Sequence, residues 1–281
     1  MTKTIKVLLI VLLTLMIAAL IFIMVFVMKN GFVDLGMSDN DMKLVDSFEA
    51  TVMETEKIYL DLDSADVKIT DADADTDKIT VKYYSNYDSS VTIENVGGTV
   101  SVDEAKSDKP KNFFHLKKRV EISVSEAFTG EYRIVGKSSD VYAENDLTNN
   151  VVIISLNSGD VALASAGNLF VNTDSGDVTV DKINKKTVIM TSSGDAAINK
   201  ADLKGASEIS ALSGDIVISE LNMKENVSIT TSSGDVTVRK NLSRCYVETD
   251  TSSGSVSVDK GDRKSDIVLT VTTSSGDIFV H

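Results

Sequence analysis

Six aspartates carry most of the chemical potential of this sequence. Each follows Ser-Gly and precedes a small or β-branched apolar residue. They stand in Ser158-Gly159-Asp160-Val161, Ser175-Gly176-Asp177-Val178, Ser193-Gly194-Asp195-Ala196, Ser213-Gly214-Asp215-Ile216, Ser233-Gly234-Asp235-Val236 and Ser275-Gly276-Asp277-Ile278. One copy departs, Ser253-Gly254-Ser255-Val256. If equivalent residues stack on neighbouring repeats, carboxylates recur ~4.8 Å apart along one edge. Such a row offers oxygen ligands of the kind Ca²⁺ takes, and acid pairs are what glycoside hydrolysis needs. Three features weigh against both chemistries. The repeat is not the calcium-binding nonapeptide type, Ser255 interrupts the row, and no acid pair stands apart from the others. Asp and Ser are also turn formers, and exposed charges discourage edge pairing. No catalytic, cofactor-binding or metal-binding residue is assigned, and the chain is not read as an enzyme. Whether the turn aspartates also hold Ca²⁺ stays open.

The other reactive side chains are isolated. The two histidines are His115, in a basic stretch, and His281, the last residue. Neither has Cys, Asp or Glu at metal-ligand spacing, and Ser, though abundant, has no evident histidine partner. Cys245 is the single cysteine, so an intramolecular disulfide cannot form. The glycines follow strand patterns and open no helix, which rules out a phosphate-binding loop.

What must position the Ser-Gly-Asp turns is a repeat. Successive glycines are 17, 18, 20, 20, 20 and 22 residues apart, a period that marks a repeat architecture. Two residues after Gly stand Val161, Val178, Ala196, Ile216, Val236, Val256 and Ile278. Four after stand Leu163, Val180, Ile198, Ile218, Val238, Val258 and Val280. Five before stand Ile154, Val171, Ile189, Ile209, Ile229, Thr249 and Val271. The residues between are mostly Ser, Thr, Asn, Asp or Lys. Ile183, Leu203, Leu221 and Leu242 recur mid-repeat. Side chains alternate along a strand, so each column faces one way. A unit of this kind buries its apolar face only by stacking on its neighbours. An antiparallel array of hairpins is the alternative, but like-on-like columns favour a parallel β-solenoid of ~20-residue coils.

Before the regular repeats, period-two patterning begins at Ser47, with Ile58, Leu60, Leu62, Val67 and Ile69. Asp63-Ser64-Ala65-Asp66 and Ser138-Ser139-Asp140-Val141 read as degenerate turns, with Ala65 and Ser139 in the Gly place. Residues 103–119 break the pattern. Lys106, Lys109, Lys111, Lys117, Lys118 and Arg119 surround Pro110, Phe113 and Phe114. This stretch reads as a solvated insertion whose phenylalanines cover one end of the core, or as a loop touching an anionic partner. The sequence stops on Ile278-Phe279-Val280-His281 with no polar repeat after it. That predicts an open edge at the C-terminal coil, available for self-association, or a tail capped by its own Phe279 and a solvated His281.

The chain has 281 residues and a net charge of −14. Residues 1–30 hold three Lys and no acid, leaving 25 basic against 42 acidic residues. An acidic surface does not neutralise phosphates, which excludes nucleic acid. Val7 to Met28 is apolar over 22 positions except Thr14. As a helix it would be ~33 Å long, enough for a ~30 Å hydrocarbon core. Lys3 and Lys6 precede it, which predicts a cytoplasmic N-terminus and an extracellular body. The run exceeds a signal-peptide core and no small-x-small site follows, so it reads as an uncleaved signal-anchor. The chain thus divides into a cytoplasmic stub and transmembrane anchor at 1–30, a tether at 31–46, an irregular β section at 47–137 and regular repeats at 138–281.

A hydrophobic leader followed by Thr/Ser-Ser-Gly-Asp-Val/Ile-x-Val/Ile units resembles the bacterial "putative adhesin" β-strand-repeat family of envelope proteins. The resemblance is strong over 138–281 and weaker over 47–137. It implies a β-solenoid outside the membrane and transfers no catalytic residue. The expectation is a single-pass cell-membrane protein that binds or scaffolds at the envelope without catalysis. An envelope protein or wall polymer is the expected partner. An accessory or sensor protein of an envelope stress response, or a self-assembling structural solenoid, are the alternatives.

Overall fold

The computed structural model describes residues 42–73, 76–105, 117–259 and 261–281. The anchor expected at 7–28 lies outside these residues. So do the centre of the basic stretch and His115. Among the described residues no helix is long and apolar enough to cross a membrane.

The unit Met42–His281 is an all-β solenoid. Its strands form one twelve-stranded and one eleven-stranded sheet, packed over a shared core. Each coil runs along the eleven-stranded sheet, turns at a Ser-Gly-Asp corner and continues in the twelve-stranded sheet. Val151–Ser158 followed by Val161–Ala166 is one such coil. Coils stack in parallel with like on like. Val161 pairs with Val178, Val178 with Ala196, Ala196 with Ile216, and Ile216 with Val236. The columns read from the sequence therefore line the core, except in the coil 246–258, where Val256 is 47% exposed and Thr249 and Val258 are only partly covered. Ile154, Val171, Ile189, Ile209, Ile229 and Val271 are at most 1% exposed. At roughly 1.5–3 kcal/mol per fully buried aliphatic side chain, these columns dominate cohesion. Ile183, Leu203 and Leu221 are buried as well. Leu242 is not, at 53% exposed, because no regular return strand forms around it.

Coil length varies at the return corner, not in the strands. The shortest return is the single residue Gly167, between Val161–Ala166 and Asn168–Ser175. A Cβ there would lie 2.6 Å from the carbonyl oxygens of Asn150 and Thr148, so this tight return requires glycine.

The stacking order departs from the sequence order at both ends. At the N-terminal end, the coil of Thr99–Glu104 and Lys118–Val124 lies outside the earlier coil of Lys57–Leu62 and Asp66–Asp71. Three antiparallel strands finish this end. Lys43–Thr51 pairs on Lys78–Ser85, which pairs on Lys118–Val124, and Val91–Val96 pairs on Thr99–Glu104. Residues 43–46, read as tether, thus belong to a strand. Asp103, Glu104, Lys118 and Arg119, read as insertion, belong to paired strands too.

At the C-terminal end, the last coil of the chain is not the last of the stack. Val268–Ser275 lies between Val227–Ser233 and Tyr246–Ser253. Ile278–Val280 lies between Val236–Val238 and Val256–Val258. The edge expected to be open at Ile278 is therefore paired on both sides. Coil 246–258, the one that lacks the aspartate, is outermost instead. Burying Val271 and Ile278 between two coils, and leaving Thr249 outside, puts more apolar surface away from water.

Candidate functional site

The turn aspartates do stack, and their carboxylates are already engaged. Asp66 Oδ1 accepts the Asp140 backbone N–H at 3.0 Å. Asp140 Oδ1 accepts from Asp160 N, Asp160 from Asp177 and Asp177 from Asp195, all at 2.8–2.9 Å. Asp195 accepts from Asp215 and Asp215 from Asp235, both at 2.8 Å. Asp235 accepts from Asp277 and Asp277 from Ser255, both at 2.7 Å. Each carboxylate thus holds the next coil, not its own turn. Ser255 ends the ladder because no coil follows it. Asp66 and Asp140 are rungs of the same ladder, so the degenerate turns read from the sequence are corners here, with Ala65 and Ser139 buried in the Gly place.

The adjacent glycines serve the same stacking. A Cβ on Gly176 would lie 2.0 Å from the Gly159 carbonyl oxygen, and one on Gly214 equally close to that of Gly194. Close approach, more than a positive φ, selects glycine at these corners. A buried threonine three residues earlier adds a further bond in several coils. Thr231 and Thr273 donate to the carbonyls of Gly214 and Gly234 at 3.0 and 3.1 Å.

Burial pushes the Asp66 carboxyl up to about 6, with the neighbouring Asp140 charge adding and the Asp140 N–H bond opposing. Burial raises Asp177 and Asp215 in the same way. A row of carboxylates, each hydrogen-bonded to the backbone of the next coil, is a structural spine. Among the described residues no cluster of three or more His, Cys, Asp or Glu is arranged to hold a metal ion.

The N-terminal end contains a buried ion pair that the sequence reading missed. Glu104 and Lys118 bond through Oε1 and Nζ, with side chains 0% and 3% exposed. Glu104 Oε2 accepts the backbone N–H groups of Asp63, Ser64 and Ala65 at 2.9, 3.0 and 3.1 Å. It therefore caps the first Ser-Ala-Asp corner as each ladder aspartate caps the corner of the next coil. Tyr83 donates its hydroxyl to Glu104 Oε1 at 3.4 Å, and Lys118 Nζ also reaches Ser64 Oγ at 3.1 Å. Burial pushes the Lys118 amine down, and the nearby Asp63 charge opposes that shift.

Two further arrangements lie on the surface. The first is a row on the outer face of the eleven-stranded sheet. Register places Tyr59, Arg133, Ile153, Phe170 and Val188 side by side across five strands. Tyr59, Ile153, Phe170 and Val188 are half-buried there, and Met190 beside them is 42% exposed. Lys186 Nζ stands 5.9 Å from the Phe170 ring centroid. Toward the C-terminal end the same rows become Glu208, Ser228 and Thr270, and Ser210, Thr230 and Thr272. Most apolar members of this face are gathered on the strands before Ser207, and the strands after it carry mainly hydroxyls and acids.

The second is a hydrogen-bonded array created by the inserted coil. Ser257 Oγ lies 3.1 Å from His281 Nε2, and His281 Nδ1 lies 3.2 Å from Asp259 Oδ2. Sequential stacking hides this array; only the pairing of Val256–Val258 on Ile278–Val280 makes it. The connectivity is that of a nucleophile, base and acid. However, Ser257 is exposed and the Asp259 side chain is 77% exposed. Water screens such an array, so it resembles a polar clasp on the chain end more than activated machinery. Cys245 is buried and free, and its sulfur accepts from Asn241 Nδ2 at 3.3 Å.

Residues 55–281 match the family model Toastrack DUF4097. The chain belongs to this family. Among solved structures, a Toastrack fold of this kind is shared with a "putative adhesin" from Bacteroides fragilis NCTC 9343. The two align over 85% of this chain and 97% of that one, with 17% identity and a TM-score of 0.51. A "putative adhesin" from Parabacteroides distasonis ATCC 8503 aligns over 84% of this chain and 97% of that one, with 15% identity and a TM-score of 0.36. A "putative lipid binding protein" from the same organism aligns over 84% and 96%, with 15% identity and a TM-score of 0.43. At 17% identity, the likeness to the Bacteroides fragilis structure concerns the fold alone. No curated protein matches the sequence.

Proposed function

We propose that this Toastrack protein is a membrane-anchored, extracytoplasmic binding protein that holds a wall polymer against the flat outer face of its eleven-stranded sheet, without catalysis. The observation that carries the reading is the row Tyr59, Ile153, Phe170, Val188 with Met190. It lies on a face whose other outward residues are mainly polar or charged, among them Ser155, Asn172, Glu208, Thr230 and Thr270. Half-buried rings and branched side chains on a flat sheet suit the apolar faces of sugar rings. Arg133 and Lys186 border the row on a chain of net charge −14, which favours a polymer carrying anionic groups. The apolar run Val7 to Met28, preceded by Lys3 and Lys6, supports a single span with the solenoid outside. The name "putative adhesin" borne by the Bacteroides fragilis structure agrees with a binding role.

The test is sedimentation of the full chain in detergent with purified cell-wall polysaccharide. Phe170→Ser combined with Ile153→Ser should weaken binding at least tenfold while leaving the circular dichroism spectrum unchanged. Equal binding by the variant, or no binding by the parent chain, rejects this use of the face. Protease protection in intact cells tests the anchor separately, since only an outward solenoid is cleaved.

A further inference from the structure

We infer that coil 246–258 is a built terminus, whose side chains keep a second copy of this chain from pairing on the C-terminal end of the stack. The two sheets end there at Tyr246–Ser253 and Val256–Val258. Beyond them only Tyr246 is bridged, to Gly261, among the described residues. Such an edge presents unpaired backbone groups and is a template for another strand.

The coil differs from its inner neighbour where a partner would meet it. Register aligns Glu248 with Thr270, Thr249 with Val271 and Asp250 with Thr272. It also aligns Val256 with Ile278, which places Ser255 opposite Asp277. Val271 is 0% exposed, whereas Thr249 in the same inward column is only partly covered. Thr249 therefore offers little apolar surface to a second copy. Ser255 has no carboxylate to accept a further backbone N–H, so the ladder has no rung for another coil. The side of the coil that faces inward keeps its stacking residue: a Cβ on Gly254 would lie 1.9 Å from the Gly276 carbonyl oxygen. The departures are confined to what the outer side meets.

Charge completes the terminus. The pairing this edge invites is isologous, two rods end to end about a two-fold axis normal to the sheets. Edge strand would then lie antiparallel on edge strand, centred near Thr249. Glu248 of each copy would face Asp250 of the other. Like charges directly opposite in a sheet repel. The inner coil, with Thr270 and Thr272 at those positions, lacks that repulsion. The end therefore closes the rod, and the broad faces remain as its docking surfaces.

The experiment gives the terminal coil its neighbour's residues. The full chain in detergent is compared with Glu248→Thr/Thr249→Val/Asp250→Thr by light scattering across micromolar concentrations. The parent chain should keep a concentration-independent protein mass. The triple variant should double it, with no larger species, because the contact closes on itself. Glu248→Thr/Asp250→Thr, which changes exposed residues alone, should shift in the same direction if the triple variant folds poorly. A folded triple or double variant that keeps the parent's mass overturns the inference. So does a parent chain that already pairs through this end, detected by cross-linking of a Ser253→Cys variant.

Discussion

The two ends of this solenoid are finished by opposite means. The N-terminal end adds covering. Strands Lys43–Thr51, Lys78–Ser85 and Val91–Val96 run antiparallel to the coils, and a buried Glu104–Lys118 pair holds the first corner beneath them. Among the described residues, the C-terminal end adds no strand beyond the bridge of Tyr246 to Gly261. It changes side chains instead, with Thr249 and Ser255 where the interior has Val or Ile and Asp. The comparison shows two solutions to one problem. Parallel coils expose apolar columns and backbone groups at each end, and these are either covered or made unattractive. Covering demands a specific buried network. A polar terminus demands almost none, so mutations should be severe at one end and mild at the other.

The largest effect is expected at the N-terminal network. Lys118→Met leaves Glu104 charged, buried and without its cation. Removing one partner of a buried ion pair typically costs about 3–5 kcal/mol. Chemical denaturation should show that loss. Glu104→Gln/Lys118→Met, which removes both charges and keeps an acceptor for the Asp63, Ser64 and Ala65 N–H groups, should recover most of it. If the single variant melts like the parent chain, the covered end does not depend on this pair.

The middle of the rod comes next. Asp215→Ala removes the acceptor for the Asp235 N–H at a half-buried corner. An unpaired group of that kind costs about 1–3 kcal/mol. The same experiment at Asp277 should give a smaller loss, because the Ser255 N–H it holds is exposed and water can take the place of the carboxylate. A loss at Asp277 larger than at Asp215 would contradict this order.

Acidity sharpens the contrast in another way. The Asp66 carboxyl is pushed up to about 6, above the ordinary Asp value of 3.8. Between these values the folded chain holds a proton that the unfolded chain releases. Stability contributed by Asp66 is therefore greatest at low pH and falls as pH rises through about 6. Asp177 and Asp215 shift in the same direction. Melting temperature should rise on going from pH 7.5 to 5. Asp66→Asn keeps the bond to Asp140 and should flatten that rise. An unchanged slope would show that Asp66 is not its source.

The sequence made the interior of the rod legible because identical columns recur: Ile154 to Val271, Val161 to Ile278. Parallel stacking puts like on like, so the pattern states which residues face inward. It does not state stacking order, since coil 268–281 fits beside 227–238 as well as coil 246–258 does by register alone. Burial decides the order, by placing Val271 and Ile278 inside. The signal existed in Thr249 and Ser255, which depart from two columns in the same repeat. Read as interruptions, they conceal an end; read together, they mark one. Glu104 and Lys118 were less legible. Lys118 stands in a basic run that looks solvated, and no periodicity reveals that it turns inward to an acid 14 residues away. The outer row around Phe170 was hidden by the opposite habit, because the residues between the columns are mostly polar and its few apolar members pass unnoticed. The Ser257–His281–Asp259 array follows only from the inserted coil, so sequence order could not bring it together.

The array also offers a way to break the non-catalytic reading. Ser257 and Asp259 are exposed and His281 is only half-buried, and a solvent-screened base gives a serine little activation. A fluorophosphonate probe should leave Ser257 unlabelled in the full chain. Labelling that disappears in His281→Ala would mean the polar terminus is also a reactive one.

The smallest effect is expected at Ser255. Ser255→Ala removes no side-chain acceptor used by another coil, because Ser255 bonds its neighbour through the backbone alone, donating its N–H to Asp277 Oδ1 and accepting the Ile278 N–H at its carbonyl. Its cost should stay within about 0.5 kcal/mol, as for surface positions without special contacts. Ser255→Asp should be equally mild, since the restored carboxylate meets no further N–H. In the interior the same pair of side chains differs greatly, because Asp215→Ser strands a backbone donor. A residue type that matters at one rung and not at the next is the signature of a ladder that stops there. If Ser255→Asp raised the melting temperature substantially, another group would have to be waiting beyond the last coil.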